Sequence, residues 1–307
     1  MDIRPLTAAD DEAVARLLAI SFGRQTADMQ QLLTFLQASA PLIAFGAWDR
    51  ARLAAQYSCL LRPLHIPHYP QPAHVGVSLN MAVHPDYRGR GLVKQVAAPV
   101  YEAVQAQGGI AGTGFSNAAG VKVDKRSKGY GYHVVGKMQS TVACLDRLPP
   151  FDPLSLTADF PTLFSLAAPP HATAIHFTNS TDWLCQRYAH HPFRQYCFGV
   201  GERALVVYRP FRWLGLCGAS LLTVVGEDVS NVIGRWASAL WQSGIRWVHL
   251  IHSPRSVVWR ALQQTAVALS LPYTRTPYYL TAKPLCDNTP DCLFDFAQWQ
   301  CIGGDVL

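Results

Sequence analysis

The chain has 307 residues, half of them hydrophobic and 15% charged, with a formal net charge of +6. Such a chain buries a large core, which excludes a disordered protein, and its length suits two domains. The positive charge is scattered, apart from Lys122, Lys125, Arg126 and Lys128, with no basic tail and no aromatic–basic pattern, so small anions rather than nucleic acid are the expected partners.

The start, Met1-Asp2-Ile3-Arg4-Pro5, runs straight into an amphipathic pattern without the apolar core of a signal peptide. No apolar run reaches the length of a membrane span. A cytoplasmic protein without membrane contact is expected. The eight cysteines are widely spaced and none forms a Cys-x-x-Cys pair, so reduced thiols and no metal site are expected.

Ile3–Leu6 reads as a short strand, and Thr7 with Asp10 as a capping box. Ala13, Val14, Leu17, Leu18 and Phe22 then recur at helical spacing. A second helix is expected over 28–37, a buried strand over 41–47, a turn at 49–52 and a returning strand over 53–64. The stretch 65–72, rich in Pro, His and Tyr, reads as a loop. A strand over 75–83 leads through His84-Pro85-Asp86 to a helix over 91–107, which Gly108-Gly109 stops. A strand over 110–115, a helix over 118–128 and an extended run over 133–144 follow.

Residues 148–170 are Pro-rich and read as a linker. The second half repeats the theme: strands over 197–202, 204–208 and 214–225, a helix over 229–242, a strand over 247–251, a helix over 257–269 and a strand over 278–282. The fold class is α/β, with mixed, mostly antiparallel sheets flanked by helices. The expected division is a first domain over 1–147, a linker over 148–170 and a second domain over 171–307, or one enlarged domain with a long C-terminal extension.

The informative segment is Leu79-Asn80-Met81-Ala82-Val83-His84-Pro85-Asp86-Tyr87-Arg88-Gly89-Arg90-Gly91-Leu92. A strand feeds a glycine loop, which feeds a helix whose N-terminal N–H groups and positive dipole end suit a pyrophosphate. Arg88 and Arg90 add charge. The spacing is neither a dinucleotide fingerprint nor a nucleotide-hydrolase phosphate loop.

Val83-His84-Pro85-Asp86-Tyr87-Arg88-Gly89-Arg90-Gly91-Leu92 resembles the acetyl-CoA-binding motif of the GCN5-related N-acetyltransferase (GNAT) family, Gln/Arg-x-x-Gly-x-Gly/Ala. Arg88 and Gly91 fill its first two positions, and Val93 stands where a small residue is usual. Gly114-Phe115-Ser116-Asn117 and Gly131-Tyr132-His133 are also similar to the family. Motif resemblance covers about 79–136, and element order about 1–145.

The resemblance implies an acyl-CoA, acetyl-CoA first, as co-substrate. It also implies direct attack of an amine on the thioester. The strand before the loop splays from its neighbour at a bulge and offers backbone groups to the pantetheine arm and thioester carbonyl. By position these are Asn80, Met81, Ala82 and Val83. The loop Arg88, Gly89, Arg90, Gly91, Leu92 and Val93 would hold the pyrophosphate, with Asn117 and Lys122 as further contacts. The general base is sought in His74, or in His65 and His68. The family's acid position falls on Ser127, with Tyr130 the nearest phenol.

In the second half, Val224-Val225-Gly226-Glu227-Asp228 places acid where a pyrophosphate needs positive charge, so that half is read as a degenerate GNAT-like domain walling the acceptor site. Trp183, Arg187, Tyr188, His191 and the segment Gly303-Gly304-Asp305-Val306 resemble tandem-domain acyltransferases acting on nucleotide-linked amino sugars, with Asp305 as a catalytic candidate. A small-molecule amine acceptor is expected. The alternatives are a peptide or protein amine, or a non-catalytic acyl-CoA-binding scaffold. The apolar residues of the second half suit either a homodimer interface or a domain interface.

Overall fold

The computed structural model describes residues 1–69, 73–126, 131–161, 173–213, 215–272 and 277–305. It divides into two compact units: Met1–Leu64, Pro70–Gly136 and Tyr279–Phe294 form the first, and His65–Tyr69, Lys137–Tyr278 and Asp295–Leu307 the second. Among the described residues no helix is long and apolar enough to cross a membrane.

In the first unit the elements are β1 (Asp2–Pro5), α1 (Asp11–Phe22), α2 (Thr26–Ser39), β2 (Leu42–Asp49), β3 (Arg52–His65), β4 (Ala73–Val83), α3 (Leu92–Ala106), β5 (Gly109–Asn117), α4 (Ala118–Arg126) and β6 (His133–Lys137). The strand β15 (Tyr278–Pro284) completes the sheet, whose order is β1-β2-β3-β4-β5-β15-β6. The first four strands are antiparallel neighbours, and β4 and β5 run parallel through the crossover helix α3.

Local chemistry sets these elements. The Thr7 N–H and hydroxyl donate to Asp10 Oδ2 at 2.9 and 3.2 Å, and Arg4 holds the same carboxylate at 2.7 and 3.0 Å, so the chain enters α1 from a fixed turn. Arg50 takes a left-handed φ of 55° in the two-residue turn between Asp49 and Arg52. On α3, Leu92, Val96, Val100, Tyr101 and Val104 share one buried face against β2 and β3. Each such aliphatic side chain removed from water contributes roughly 1.5–3 kcal/mol.

The second unit contains β7 (Gln139–Leu145), β8 (Ser155–Thr157), β9 (His176–Phe177), α5 (Thr181–Leu184, continued by a wider turn over Cys185–Ala189), β10 (Cys197–Gly201), β11 (Ala204–Trp213), β12 (Leu216–Val225), α6 (Val229–Gln242), β13 (Trp247–His252), α7 (Val257–Ala266) and β14 (Val267–Pro272). Its sheet order is β14-β7-β13-β12-β11-β10-β8, with β12 and β13 parallel. Trp236, Ile233 and Leu240 of α6 fill its core against Leu221 and Leu250. Two mixed sheets flanked by helices are thus present, as the sequence leads one to expect.

The boundaries depart from the expected 1–147, 148–170 and 171–307. The extended run over 133–144 is two strands separated by Met138, and β6 joins the first sheet while β7 joins the second. In return, β15 leaves the second half for the first sheet. Alternation specifies a strand, but it does not say which sheet receives it. The expected linker is structured at its start: β8 pairs with β10, and Arg235 Nε donates to Asp152 O at 3.0 Å. Residues 162–170 lie outside the described residues. The helix expected over 257–269 ends at Ala266, and the backbone from Val267 pairs with β7. There Val267, Leu269 and Leu271 alternate with period two, a pattern that overlaps the helical one.

Candidate functional site

The parallel ladder between β4 and β5 ends at Val77↔Thr113, although both strands continue. Three residues on, β4 carries one extra residue relative to β3, since Ser58 pairs with Leu79 but Gln56 with Ala82. Asn80, in this bulge, has a φ of 51°, a left-handed conformation unusual for a residue with a side chain. Buried Gln56 holds it there by donating its side-chain N–H to the Asn80 carbonyl. Asn80 Nδ2 is buried without a hydrogen-bond partner among the described residues. An unpaired buried donor costs roughly 1–3 kcal/mol, so this amide is poised for an acceptor that a ligand would bring.

β4 then enters the turn Pro85–Tyr87 and the loop to α3. Tyr87 is buried and donates its hydroxyl to Asp49 Oδ2 at 2.8 Å. His84 packs beneath the turn, 2.6 Å from Arg52 Nη2, and Arg52 also pairs with Asp86 at 3.1 Å. Gly89 and Gly91 have φ values of 79° and 69°, and a Cβ on either would meet nothing within 4 Å. The glycines are therefore required for conformation, and the space before the loop is open. Gly91 is the N-cap of α3, and no side chain caps that helix. The uncapped N-terminus of α3 follows a loop carrying exposed Arg88 and Arg90. Backbone donors, the positive dipole end and two guanidiniums fit a pyrophosphate.

A family model described as an acetyltransferase (GNAT) domain matches residues 2–132. Residues 2–132 are thus similar to a GNAT acetyltransferase domain. Solved structures extend the similarity of fold. A GCN5-related N-acetyltransferase from Anabaena variabilis superposes with a TM-score of 0.65 at 9% identity, over 93% of this chain and 73% of that one. A probable N-acyltransferase from Enterococcus faecalis gives 0.62 at 11% identity, over 92% and 72%. A tandem GNAT protein from the clavulanic acid biosynthesis pathway gives 0.56 at 14% identity, over 94% and 99%. No curated protein matches in sequence. A GNAT acetyltransferase domain indicates acyl transfer from an acyl-CoA to an amine.

Within the matched residues, Asn80, Met81, Ala82, Val83 and the loop Arg88–Gly91 lie together at the end of β4. Leu92 is buried, and Val93, in the position where a small residue is usual, packs against the α3 core. Asn117 Oδ1 accepts the Gly120 N–H at 2.9 Å and so opens α4, on which Lys122 is exposed. Ser127, Lys128, Tyr130 and the Lys125 side chain lie outside the described residues.

His74 is not brought to this place. It pairs with Pro63 and Gly109 at the start of β4, six residues or about 20 Å of strand before Asn80. Alternating strand residues point to opposite faces, but position along the strand depends on where the ladder ends, which a single sequence does not state. His65 and His68 belong to the second unit, where the His65 ring lies 4.8 Å from that of His176. Asp305 also belongs to the second unit, and its Oδ2 accepts the Ile302 N–H at 2.8 Å across its own turn.

Sequence reasoning missed two features of the domain. One is Gln56, a lone buried amide in the apolar run Leu53-Ala54-Ala55-Gln56-Tyr57, and that break in the pattern was its signal. The other is a set of hydroxyls beside the splay. Tyr57 and Tyr101 share a hydrogen bond, Tyr57 and Tyr132 lie beside Ser78, and the Tyr132 hydroxyl reaches the Thr113 carbonyl at 3.5 Å. Ser78 and Thr113 flank the end of the ladder. Burial raises all three phenols above their ordinary pKa, so they keep their protons. The Lys283 ammonium lies 4.3 Å from the Tyr101 ring centre, and burial lowers its pKa.

Proposed function

We propose that the first unit is an acyl-CoA-dependent N-acyltransferase domain whose acceptor is the amine of a small polar molecule. Acetyl-CoA is the first donor to test and a nucleotide-linked amino sugar the first acceptor. The observation that carries the reading is the uncapped N-terminus of α3, framed by two left-handed glycines and two arginines.

In this reading Gly89, Gly91 and the first N–H groups of α3 hold the pyrophosphate, and Arg88 and Arg90 add charge-assisted bonds. The bulge at Asn80 and the end of the β4–β5 ladder leave backbone and amide donors for the pantetheine arm and the thioester carbonyl. The acceptor nitrogen attacks that carbonyl, a C–N bond forms and the C–S bond breaks. The amine proton passes to water, water protonates the departing thiolate, and the phenols beside Ser78 keep their protons and offer only hydrogen bonds to the sulfur. Positioning and carbonyl polarisation carry most of the rate, as expected where two substrates are held for direct attack.

The test is calorimetric titration with acetyl-CoA and with CoA. Saturable binding of either, lost in Arg88→Glu, supports the assignment and opens an acceptor screen. Absence of binding by folded protein, or unchanged affinity in Arg88→Glu, overturns it.

A further inference from the structure

We infer that the second unit contains its own binding site for a small organic anion, a phosphate or carboxylate ester or acid with an apolar remainder. The inference does not rest on acyl transfer by the first unit. Its basis is a cavity of about 170 Å³ lined by Arg187, Arg194, Arg209, Tyr188, Tyr196 and His249, and closed by the Gly303–Gly304 turn.

Three arginines line this cavity, and no carboxylate residue does. Arg187 is buried at 5% exposure, while Arg194 and Arg209 are exposed. Neither Arg194 nor Arg209 forms an ion pair with a carboxylate of the described residues. Placing the charges of Arg194 and Arg209 around one concave space costs free energy unless an anion offsets it, and low-dielectric walls focus that field. The field acts on neighbouring groups. His191 is pushed down to about 4, by burial first and then by Arg194 and Arg187. His249 is likewise held at about 4, by burial and then by Arg209. Both histidines are therefore neutral near pH 7, and the arginines are the positive groups of the site.

The walls are fixed. The Tyr188 hydroxyl bonds to Thr223 Oγ1, and its ring meets Tyr196 edge-on at 5.0 Å. His249 spans Ser140 and Ser220 at 2.9 and 3.2 Å. A Cβ on Gly304 would lie 2.3 Å from the Tyr188 hydroxyl and 2.6 Å from the Leu222 carbonyl, so only glycine lets the turn close there. An adjoining cavity of about 510 Å³ shares Tyr188, Arg194 and Tyr196 and is walled by Phe160, Phe198 and Ala158, with Asp159 also on its lining. The smaller chamber suits an anionic head and the larger an aromatic or aliphatic remainder. Arginine forks match the paired oxygens of phosphate and carboxylate alike.

The experiment uses the full chain in three forms: wild type, Arg88→Glu, and Arg88→Glu with Arg194→Gln and Arg209→Gln. The added substitutions are at exposed positions, and circular dichroism checks folding. Inorganic phosphate, succinate and phenyl phosphate are titrated calorimetrically. The expected result is saturable binding of at least one probe that is equal in wild type and Arg88→Glu, with phenyl phosphate tighter than inorganic phosphate. Binding should fall at least tenfold in the triple variant. Phosphate-only binding identifies a phosphate site, and succinate-only binding a carboxylate site. No saturable binding of any probe, or equal binding by the triple variant, overturns the inference. Arg194→Gln/Arg209→Gln alone should bind acetyl-CoA as wild type does, and loss of that binding by folded protein would also overturn the separate site. Failure of the acyl-transfer reading shows differently, as no acetyl-CoA binding by wild type.

Discussion

The two units build the same strand–turn–helix device and finish it in opposite ways. In the first, the parallel ladder ends at Val77↔Thr113, a bulge follows at Asn80, and β4 runs into a loop whose helix has no side-chain cap. In the second, the parallel ladder ends at Leu221↔Leu250, and β12 gains its extra residue at Leu222, because Tyr208 pairs with Leu221 but Val207 with Thr223. There the helix N-terminus is closed. Asp228 Oδ1 accepts from Ser230 and Asn231 N–H at 3.0 and 3.1 Å, occupying the donors that an anion would take. The end of the ladder is closed too. Gly304 sits against the Leu222 carbonyl, and Ile302 bridges to His252 of β13. The second unit thus keeps its bulge, while a carboxylate and a stretch of its own chain fill the two places that an acyl-CoA is proposed to occupy in the first.

The largest effect should come from reversing charge at the open end. Arg88→Glu replaces a charge-assisted contact, worth about 1.5–3 kcal/mol, with repulsion, so acetyl-CoA affinity should fall about 100-fold by calorimetry. A fall of less than threefold would remove the loop from the site. The next largest contrasts the two glycines. Gly304→Ala puts a methyl group into backbone and hydroxyl atoms and should destabilise the second unit by about 1–3 kcal/mol. Gly91→Ala meets open space and carries only the left-handed penalty, about 1 kcal/mol. Hydrogen exchange resolved by unit measures both. Equal costs would break the contrast between a filled and an open wedge.

How much of this could be read beforehand follows from the range of each signal. The loop was legible because strand, two glycines, two arginines and helix are contiguous in Val83–Leu92. The acidic Glu227-Asp228 likewise announced the closed second site. Gln56 showed as a break in its apolar run, but its role did not, since the carbonyl it holds lies twenty-four residues away. The placement of β7 and β15 was also hidden, because their neighbours lie more than a hundred residues off. His74 shows the same limit: nearness to a strand in sequence says nothing about which end of that strand opens.

A milder change tests whether the Asp228 cap alone keeps the second helix from serving. Asp228→Ala should cost about 1 kcal/mol, the ordinary worth of an N-cap. Acetyl-CoA stoichiometry should stay at one per chain, because Ile302–Asp305 still fills the end of the ladder. A second equivalent bound by Asp228→Ala would show that the cap, rather than the tail, closes the second unit.

The smallest effect separates the units by acidity. His249, pushed down to about 4 by burial and then by Arg209, is neutral in the folded second unit at pH values where an unfolded histidine, with a pKa of about 6.5, takes a proton. Its contribution is fully present above about 6.5, declines as the pH falls, and is gone below about 4. Asp10 in the first unit is lowered to about 2, chiefly by its hydrogen bonds from Arg4, so its contribution is lost only as the pH falls from about 3.8 to about 2. Acidification from pH 7 to pH 5 should therefore weaken exchange protection around β12 and β13 while β1 and α1 hold theirs. His249→Gln, which cannot titrate but can still meet Ser140 and Ser220, should reduce that response, and the remainder belongs to His191 and His252, which burial also lowers. If protection in both units fell together in the wild type, or the variant kept the full slope, neutral His249 would not be what distinguishes the second unit in acid.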